Sequence, residues 1–391
     1  MRKLSAQYIF TNNGPPLKRG VITLDDNGII IEVTYTGGNP AEKESVEYFN
    51  GVIIPGFVNC HSHLELSHLK GRIPEGLGLP GFIKAIREIR TDEPEKIFRT
   101  MVKTDSGMYD EGIVLCADIC NTANSFQVKK ESRIHYINLI EVFGIDPGKA
   151  DKRMEEFMNV AETAQKLNFQ FSFVPHSAYS VSLPLLRKLK EICSENKVTS
   201  VHFMESQYEK LFLSEHKGPF FSYYRESGLL ASEILTPADH ISFVLDEITG
   251  SGNLILVHNT FADAETIRAV KVRNDLYWCL CPRSNIYIEG RVPPVDTMLN
   301  EGCEIVIGTD SMASNNTPGI LTELYTLQEH FPFLKFSDLI RWATLNGARA
   351  LGMDNLYGII ETGKKPGLLL IEKMDLPGLK LTQESVVRRL A

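Results

Sequence analysis

The chain opens on short segments of alternating or β-branched character. Residues 7–11, 20–24 and 29–33 are of this kind, and the turn-forming stretches 12–16 and 25–28 separate them, so strands joined by tight turns are predicted. After residue 50 the texture changes. Eight apolar runs follow, at 56–60, 113–117, 134–140, 169–174, 198–203, 254–257, 276–280 and 304–307. The intervals carry helical periodicity, most clearly at 82–90, 94–109, 150–166, 183–194, 262–272 and 320–330.

Apolar strands alternating with helices imply a parallel sheet covered on both faces. Eight such units predict the α/β class and a (β/α)8 TIM barrel. The interval 214–252 is longer than one crossover needs, so 219–224 and 235–248 are expected as extra helices over one barrel end. Beyond residue 351 the segments 357–361 and 367–371 return to strand texture. Neither end could fold alone, so they are expected to pair with the N-terminal strands. The expected division is a barrel over 56–351 and a composite β-sandwich from 1–55 and 352–391.

Composition narrows the class. At 391 residues, 43% hydrophobic and 23% charged, the chain can bury a sizeable core and is neither disordered nor fibrous. Net charge is −8, so nucleic acid and anionic membranes are not expected as partners. The seven cysteines are odd in number and several sit in apolar runs, which predicts reduced, buried thiols without disulfide or structural-zinc spacing. The N-terminal segment has no signal-like stretch and no run reaches the ~18 apolar residues of a membrane span, so a cytoplasmic location is expected.

The ends of the eight runs carry the chemistry. They lead in turn to His61 and His63, Asp118, Glu141, His176, His202 with Glu205 three residues on, His258, the 282–285 segment and Asp310. Purely structural strand ends would favour Gly, Asn and Pro. In an extended strand residues i and i+2 point the same way, so His61 and His63 converge like two arms of a metal clamp. With His202, His258 and Asp310 at other strand ends, this set is read as a metal site, its imidazole and carboxylate donors suiting zinc or iron, of which zinc is expected ahead. Blander roles exist for each: Asp310 as a helix cap, Glu205 as a first-turn carboxylate, His258 as a core histidine.

The motifs Pro-Gly-Phe-Val-Asn-Cys-His-Ser-His at 55–63, Leu-Lys-Gly at 69–71, Pro-His-Ser-Ala-Tyr-Ser at 175–180, His-Phe-Met-Glu-Ser at 202–206, Val-His at 257–258, Cys-Pro-Arg-Ser-Asn at 281–285 and Gly-Thr-Asp-Ser at 308–311 occur in one order. Jointly they resemble the amidohydrolase superfamily, in its cytosine, guanine and S-adenosylhomocysteine deaminase and chlorohydrolase branch. The resemblance implies a barrel with a small terminal β-sandwich. It implies one divalent metal on His61, His63, His202 and Asp310, Glu205 as proton shuttle, and His258 on the attacking hydroxide. Asp310 would also accept the water's proton. His176, Glu65, Glu141, Arg283 and Asp118 are candidate substrate contacts, and Ser284 and Asn285 are expected to hold a loop near the metal. Glu209 and Glu215 are taken as ordinary helix-terminus carboxylates, and His135, His216, His240 and His330 as surface or core residues.

Departures are Lys70, where the family commonly has Arg, and Pro366-Gly367, where it has Ala-Asp. No lysine lies in 169–176 to bridge two metals, which favours a mononuclear centre. The implied function is a metal-dependent aminohydrolase. It deaminates a purine-like N-heterocycle (S-adenosylhomocysteine, aminofutalosine or guanine type) by attack of a metal-bound hydroxide, releasing ammonia. The same site on another bond would make a chlorohydrolase or cyclic-amide hydrolase, and a non-catalytic barrel scaffold is the alternative from another class. Expected partners are a small heterocyclic substrate and a second copy of the chain, the aromatic cluster at 220–224 serving either to cap the site or to contact that copy.

Overall fold

The alternating N-terminal segments form β1 (Arg2–Ile9), β2 (Leu17–Lys18), β3 (Val21–Leu24), β4 (Ile30–Thr34) and β5 (Val46–Pro55) in a computed structural model that describes residues 1–38, 45–248, 250 and 252–391. One face of these strands is apolar, and Leu4, Ala6, Ile9, Ile22, Leu24, Ile30 and Ile53 bury it in a core of its own.

All eight internal apolar runs are strands: β6 (Phe57–Ser62), β7 (Ile113–Cys120), β8 (His135–Val142), β9 (Phe171–Pro175), β10 (Val198–Phe203), β11 (Asn253–His258), β12 (Leu276–Leu280) and β13 (Ile305–Ile307). They pair in sequence order as two four-stranded parallel sheets, β6-β7-β8-β9 and β10-β11-β12-β13. Single parallel bridges join the sheets at both seams, Ser177 with His202 and Ser62 with Asp310. Val58, Cys60, Leu115, Ala117, Leu139, Val174, Ile255, Val257, Cys279 and Val306 form a second core cluster. The α/β architecture and parallel sheets agree with the sequence pattern. Gly308 has no room for a side chain, since a Cβ would lie 2.8 Å from that of His61 and 2.9 Å from the sulfurs of Cys279 and Cys281. All seven cysteines are free thiols, six of them buried.

The tail adds β14 (Leu368–Glu372) and β15 (Val386–Arg389), which complete one seven-stranded sheet in the order β15-β14-β5-β1-β3-β4, with β2 on β1. β14 runs antiparallel to β5, with Leu368 opposite Pro55.

Helices Ala150–Lys166 and Ile320–His330 form as read from periodicity. Four departures have local causes. Segment 357–361 is a loop: Gly358 is left-handed (φ 84°) and packs on the Leu345 backbone, leaving a single strand-like bond from the Ile360 N–H to Thr11 O. The helix expected from 235 starts only at His240, because Pro237 interrupts it and Asp239 caps the turn. Residues 282–285, expected as a loop, begin the helix Pro282–Glu289, where proline suits the first turn. The strand β7 runs past Ala117 to Cys120, so Asp118 lies inside it. Residues 249 and 251 of the long excursion lie outside the described set. The aromatic cluster there turns inward: Phe220 stacks on Tyr179 at 4.4 Å and the Tyr224 hydroxyl donates to Tyr179 O at 2.9 Å. Those two rings are therefore not a surface for a second copy. Among the described residues no helix is long and apolar enough to cross a membrane.

Candidate metal centre

The strand register brings His61, His63, His202, His258 and Asp310 to one end of the parallel sheets. Nε2 of His61 and Nε2 of His63 are 3.1 Å apart. Asp310 Oδ1 lies 3.7 Å from the first and 3.4 Å from the second. The His202 ring centres 4.9 Å from that of His61, and the His258 ring stacks on His202 at 5.2 Å. Donor atoms of His61, His63 and Asp310 fall within 4.8 Å of one another, as do those of His61, His202 and His258.

Burial and mutual repulsion decide the charge of this cluster. Desolvation first, then the neighbouring imidazoles, hold His61 well below the ordinary histidine value. Burial takes His258 down to about 3. Neutral imidazoles keep their lone pairs, which is the state that ligates a cation. Asp310 shows the opposite balance. Burial works against its charge, but His63, His258 and the hydroxyls of Ser284 and Ser314 hold it below the ordinary value.

Those hydroxyls also aim it. Ser284 Oγ and Ser314 Oγ both donate to Asp310 Oδ2, at 2.6 and 2.7 Å, which leaves Oδ1 to the histidines. Backbone strain helps: Asp310 (φ 56°), His258 (φ 75°) and Met204 (φ 50°) are left-handed. Non-glycine residues hold that conformation at a cost of ~1–3 kcal/mol each, and such residues gather at functional sites. The fit to a metal is chemical. Buried neutral nitrogens and a carboxylate oxygen face one another, and Nδ1 of His61 has no partner at all. Facing acceptors repel unless a cation or shared proton lies between them.

Glu205 Oε1 is 3.6 Å from His258 Nε2. Asn285 Nδ2 lies 3.1 Å from His258 Nδ1, so the amide donates there and the imidazole proton sits on Nε2, facing Glu205. Burial first, then the charges of Asp310, Glu209, Glu289 and Glu141, raises the Glu205 carboxyl well above the ordinary value.

The remaining candidates divide. His176 stacks on His202 at 4.4 Å with Nδ1 2.8 Å from Ser180 Oγ. Glu141 does not stand free for a substrate: Oε1 lies 3.3 Å from His202 Nδ1 and Oε2 accepts from Asn121 at 2.9 Å. It orients the ring from behind. Glu65 is likewise engaged, its Oε1 accepting both the N–H and the hydroxyl of Thr122 at 2.9 Å, with Arg90 3.5 Å from Oε2. Arg283 donates from Nε to Asn315 Oδ1 at 3.2 Å and lines a small cavity with Glu75, Tyr287 and Asn316. Asp118 pairs with the buried Lys129 at 2.6 Å and accepts the Leu64 N–H at 2.8 Å, so it braces the chain next to His63 instead of meeting a substrate.

Sequence reasoning gave no role to Ser314 and Lys129; Glu209 is the first-turn carboxylate and His240 the core residue that it expected. Ser314 lies four residues after Asp310, and the Ser206-x-x-Glu209 spacing is a legible capping box. The partners of Lys129 and His240 come from distant segments and leave no local signal.

Residues 52–388 match the Amidohydrolase family. The chain is 24% identical over 328 residues to an adenosine deaminase of Helicobacter pylori, covering 82% of this chain and 78% of that one. It superposes on the crystal structure of Helicobacter pylori aminofutalosine deaminase in complex with methylthio-coformycin at a TM-score of 0.77 and 21% identity, over 95% of this chain and 92% of that one. A zinc-bound adenosine deaminase from Xanthomonas campestris gives a TM-score of 0.71 at 20% identity, over 97% of this chain and 86% of that one.

Proposed function

The chain belongs to the amidohydrolase family, and on that premise we propose that it is a mononuclear metal-dependent aminohydrolase acting on an aminated, purine-like heterocycle. One observation carries the reading: the raised Glu205 carboxyl and Nε2 of His258 stand 3.6 Å apart beside the histidine–Asp310 cluster.

His61, His63, His202 and Asp310 would hold the divalent metal, zinc ahead of iron; the zinc-bound protein of the same fold supports that order. The bound metal supplies Lewis acidity that brings a water's proton within reach of neutral pH. Asp310 would accept that proton, its carboxylate held in place by the two serine hydroxyls on Oδ2. Glu205, protonated in its buried setting, donates to a ring nitrogen of the substrate as water adds to the amine-bearing carbon. His258 donates from Nε2 to the oxygen of the tetrahedral adduct. Glu205, now a carboxylate, takes the adduct hydroxyl's proton and passes it to the amine; ammonia leaves as the carbonyl forms, and the proton held on Asp310 restores Glu205. His176 meets the substrate beside His202, and Arg283 meets its distal part at the small cavity.

The same reading takes the two parallel sheets as one closed barrel, joined through the Ser177–His202 and Ser62–Asp310 bridges, with 1–55 and 352–391 as the appended composite domain. Free thiols accord with a reducing, cytoplasmic setting.

The test is ammonia release from a panel of adenosine, S-adenosylhomocysteine, aminofutalosine and guanine, with a chlorotriazine and a cyclic amide alongside. Ammonia from an aminopurine supports the proposal. Chloride or a ring-opened product without ammonia moves the chain to the hydrolase alternatives. Protein that keeps less than one zinc or iron per chain after growth in supplemented medium points to the scaffold reading.

A further inference from the structure

Two buried polar residues stand outside the set just described. Glu209 is fully buried on the helix Gln207–Glu215, and His240 is 4% exposed in the excursion that follows. Glu209 Oε2 and His240 Nε2 are 2.7 Å apart. A buried carboxyl is costly unless both oxygens find partners. Here Oε1 accepts the backbone N–H of Glu205 at 2.7 Å and that of Ser206 at 2.9 Å. The anchored residue follows Met204, whose left-handed backbone turns the chain out of β10.

A helix cap needs only the Oε1 contacts. The buried imidazole, brought from 31 residues along the chain, adds nothing to the start of the helix. It is itself held firmly: Asp239 Oδ1 accepts the Ser242 N–H at 2.8 Å to cap its turn, and its ring lies edge-on to Phe203 at 5.5 Å. With Oε2 fixed by His240, the Glu209 carboxyl cannot swing away from the two N–H groups. The geometry points to Glu209 and His240 as positioning residues that fix the direction in which Glu205 enters the site. This inference rests on the proton-carrying role proposed for Glu205. It also makes the excursion after β10 part of the catalytic apparatus, through one buried hydrogen bond.

The full-length, zinc-loaded chain is compared with His240→Phe, which keeps a ring against Phe203 and removes the donor, and with His240→Gln, which restores a donor. Deuterium exchange at the amides of 204–206 should quicken about tenfold in His240→Phe while 198–202 stay unchanged. Turnover of adenosine and S-adenosylhomocysteine should fall about tenfold or more in kcat, with KM within about twofold and zinc content unchanged. His240→Gln should recover most of both. Exchange at the parent rate, or an unchanged kcat, in folded and zinc-loaded His240→Phe overturns the inference. Fast exchange of the Glu205 and Ser206 amides in the parent protein overturns it without any variant. Glu205→Gln, run in parallel, separates the two readings. If it turns over at the parent rate, the shuttle role fails. If it is inactive while His240→Phe matches the parent, only the positioning role fails.

Discussion

Glu205 Oε1 faces His258 Nε2 across 3.6 Å, and Asn285 fixes that imidazole from its other nitrogen at 3.1 Å. Burial and the neighbouring carboxylates push the Glu205 carboxyl well above its ordinary value, while burial takes His258 down to about 3. Glu205→Gln preserves shape and removes the transferable proton. We expect full metal content and a loss of kcat of about 100-fold or more, read by ammonia release and metal analysis on one preparation. Undiminished turnover would remove Glu205 from the mechanism.

Ser284 and Ser314 donate to one oxygen of Asp310, at 2.6 and 2.7 Å. Each hydroxyl restricts rotation of a metal-facing carboxylate, so Ser284→Ala should weaken metal retention about tenfold. Competition against a chelator of known affinity measures this without any turnover assay. Equal retention in Ser284→Ala and Ser314→Ala would reduce both serines to packing.

Lys129 and Asp118 form an ion pair at 2.6 Å, with both side chains fully buried. Lys129→Met leaves Asp118 buried without its charge partner. That should cost about 3–5 kcal/mol of stability. Adding Asp118→Asn removes the stranded charge and keeps an acceptor for the Leu64 N–H, so part of the loss should return. Denaturant melts of the two variants provide the comparison, and a single variant as stable as the parent would contradict it.

Glu323 accepts the Arg283 N–H at 3.0 Å and a bond from Asn315 at 2.6 Å, and burial raises its carboxyl from 4.5 to about 8. The folded state therefore binds this proton more tightly than the unfolded chain. Its contribution to stability is complete below pH 4.5 and is lost as pH rises through about 8. The steepest slope for one such proton is about 1.4 kcal/mol per pH unit. Glu323→Gln should flatten stability against pH between those limits. An unchanged slope in melts from pH 5 to 9 would mean that Glu323 is ionised throughout.

Much of this was legible in the chain because a parallel α/β architecture is written locally. Continuous apolar runs marked every strand from β6 to β13, since a strand buried on both faces tolerates no alternation. The clamp of His61 and His63 was equally legible, because residues two apart in a strand share a side. The 357–361 segment was misread for the reason that local texture misleads. The left-handed Gly358 lies against the Leu345 backbone and Ile360 is buried in the core of the N-terminal sheet, and such tertiary contacts outweigh strand propensity there.

The sequence by itself determined the order of strands and the donor residues at their ends. These follow from periodicity and residue type, which need no partner. Only the tertiary structure decided orientation and charge. Asp310 points Oδ1 inward because Ser284, 26 residues away, occupies Oδ2. Glu205 holds its proton because burial strips it of water. Glu141 stands against His202 and Asp118 against Lys129, contacts that only the folded chain makes. Such outcomes depend on desolvation and on hydrogen bonds between distant segments, and no short stretch of sequence records either.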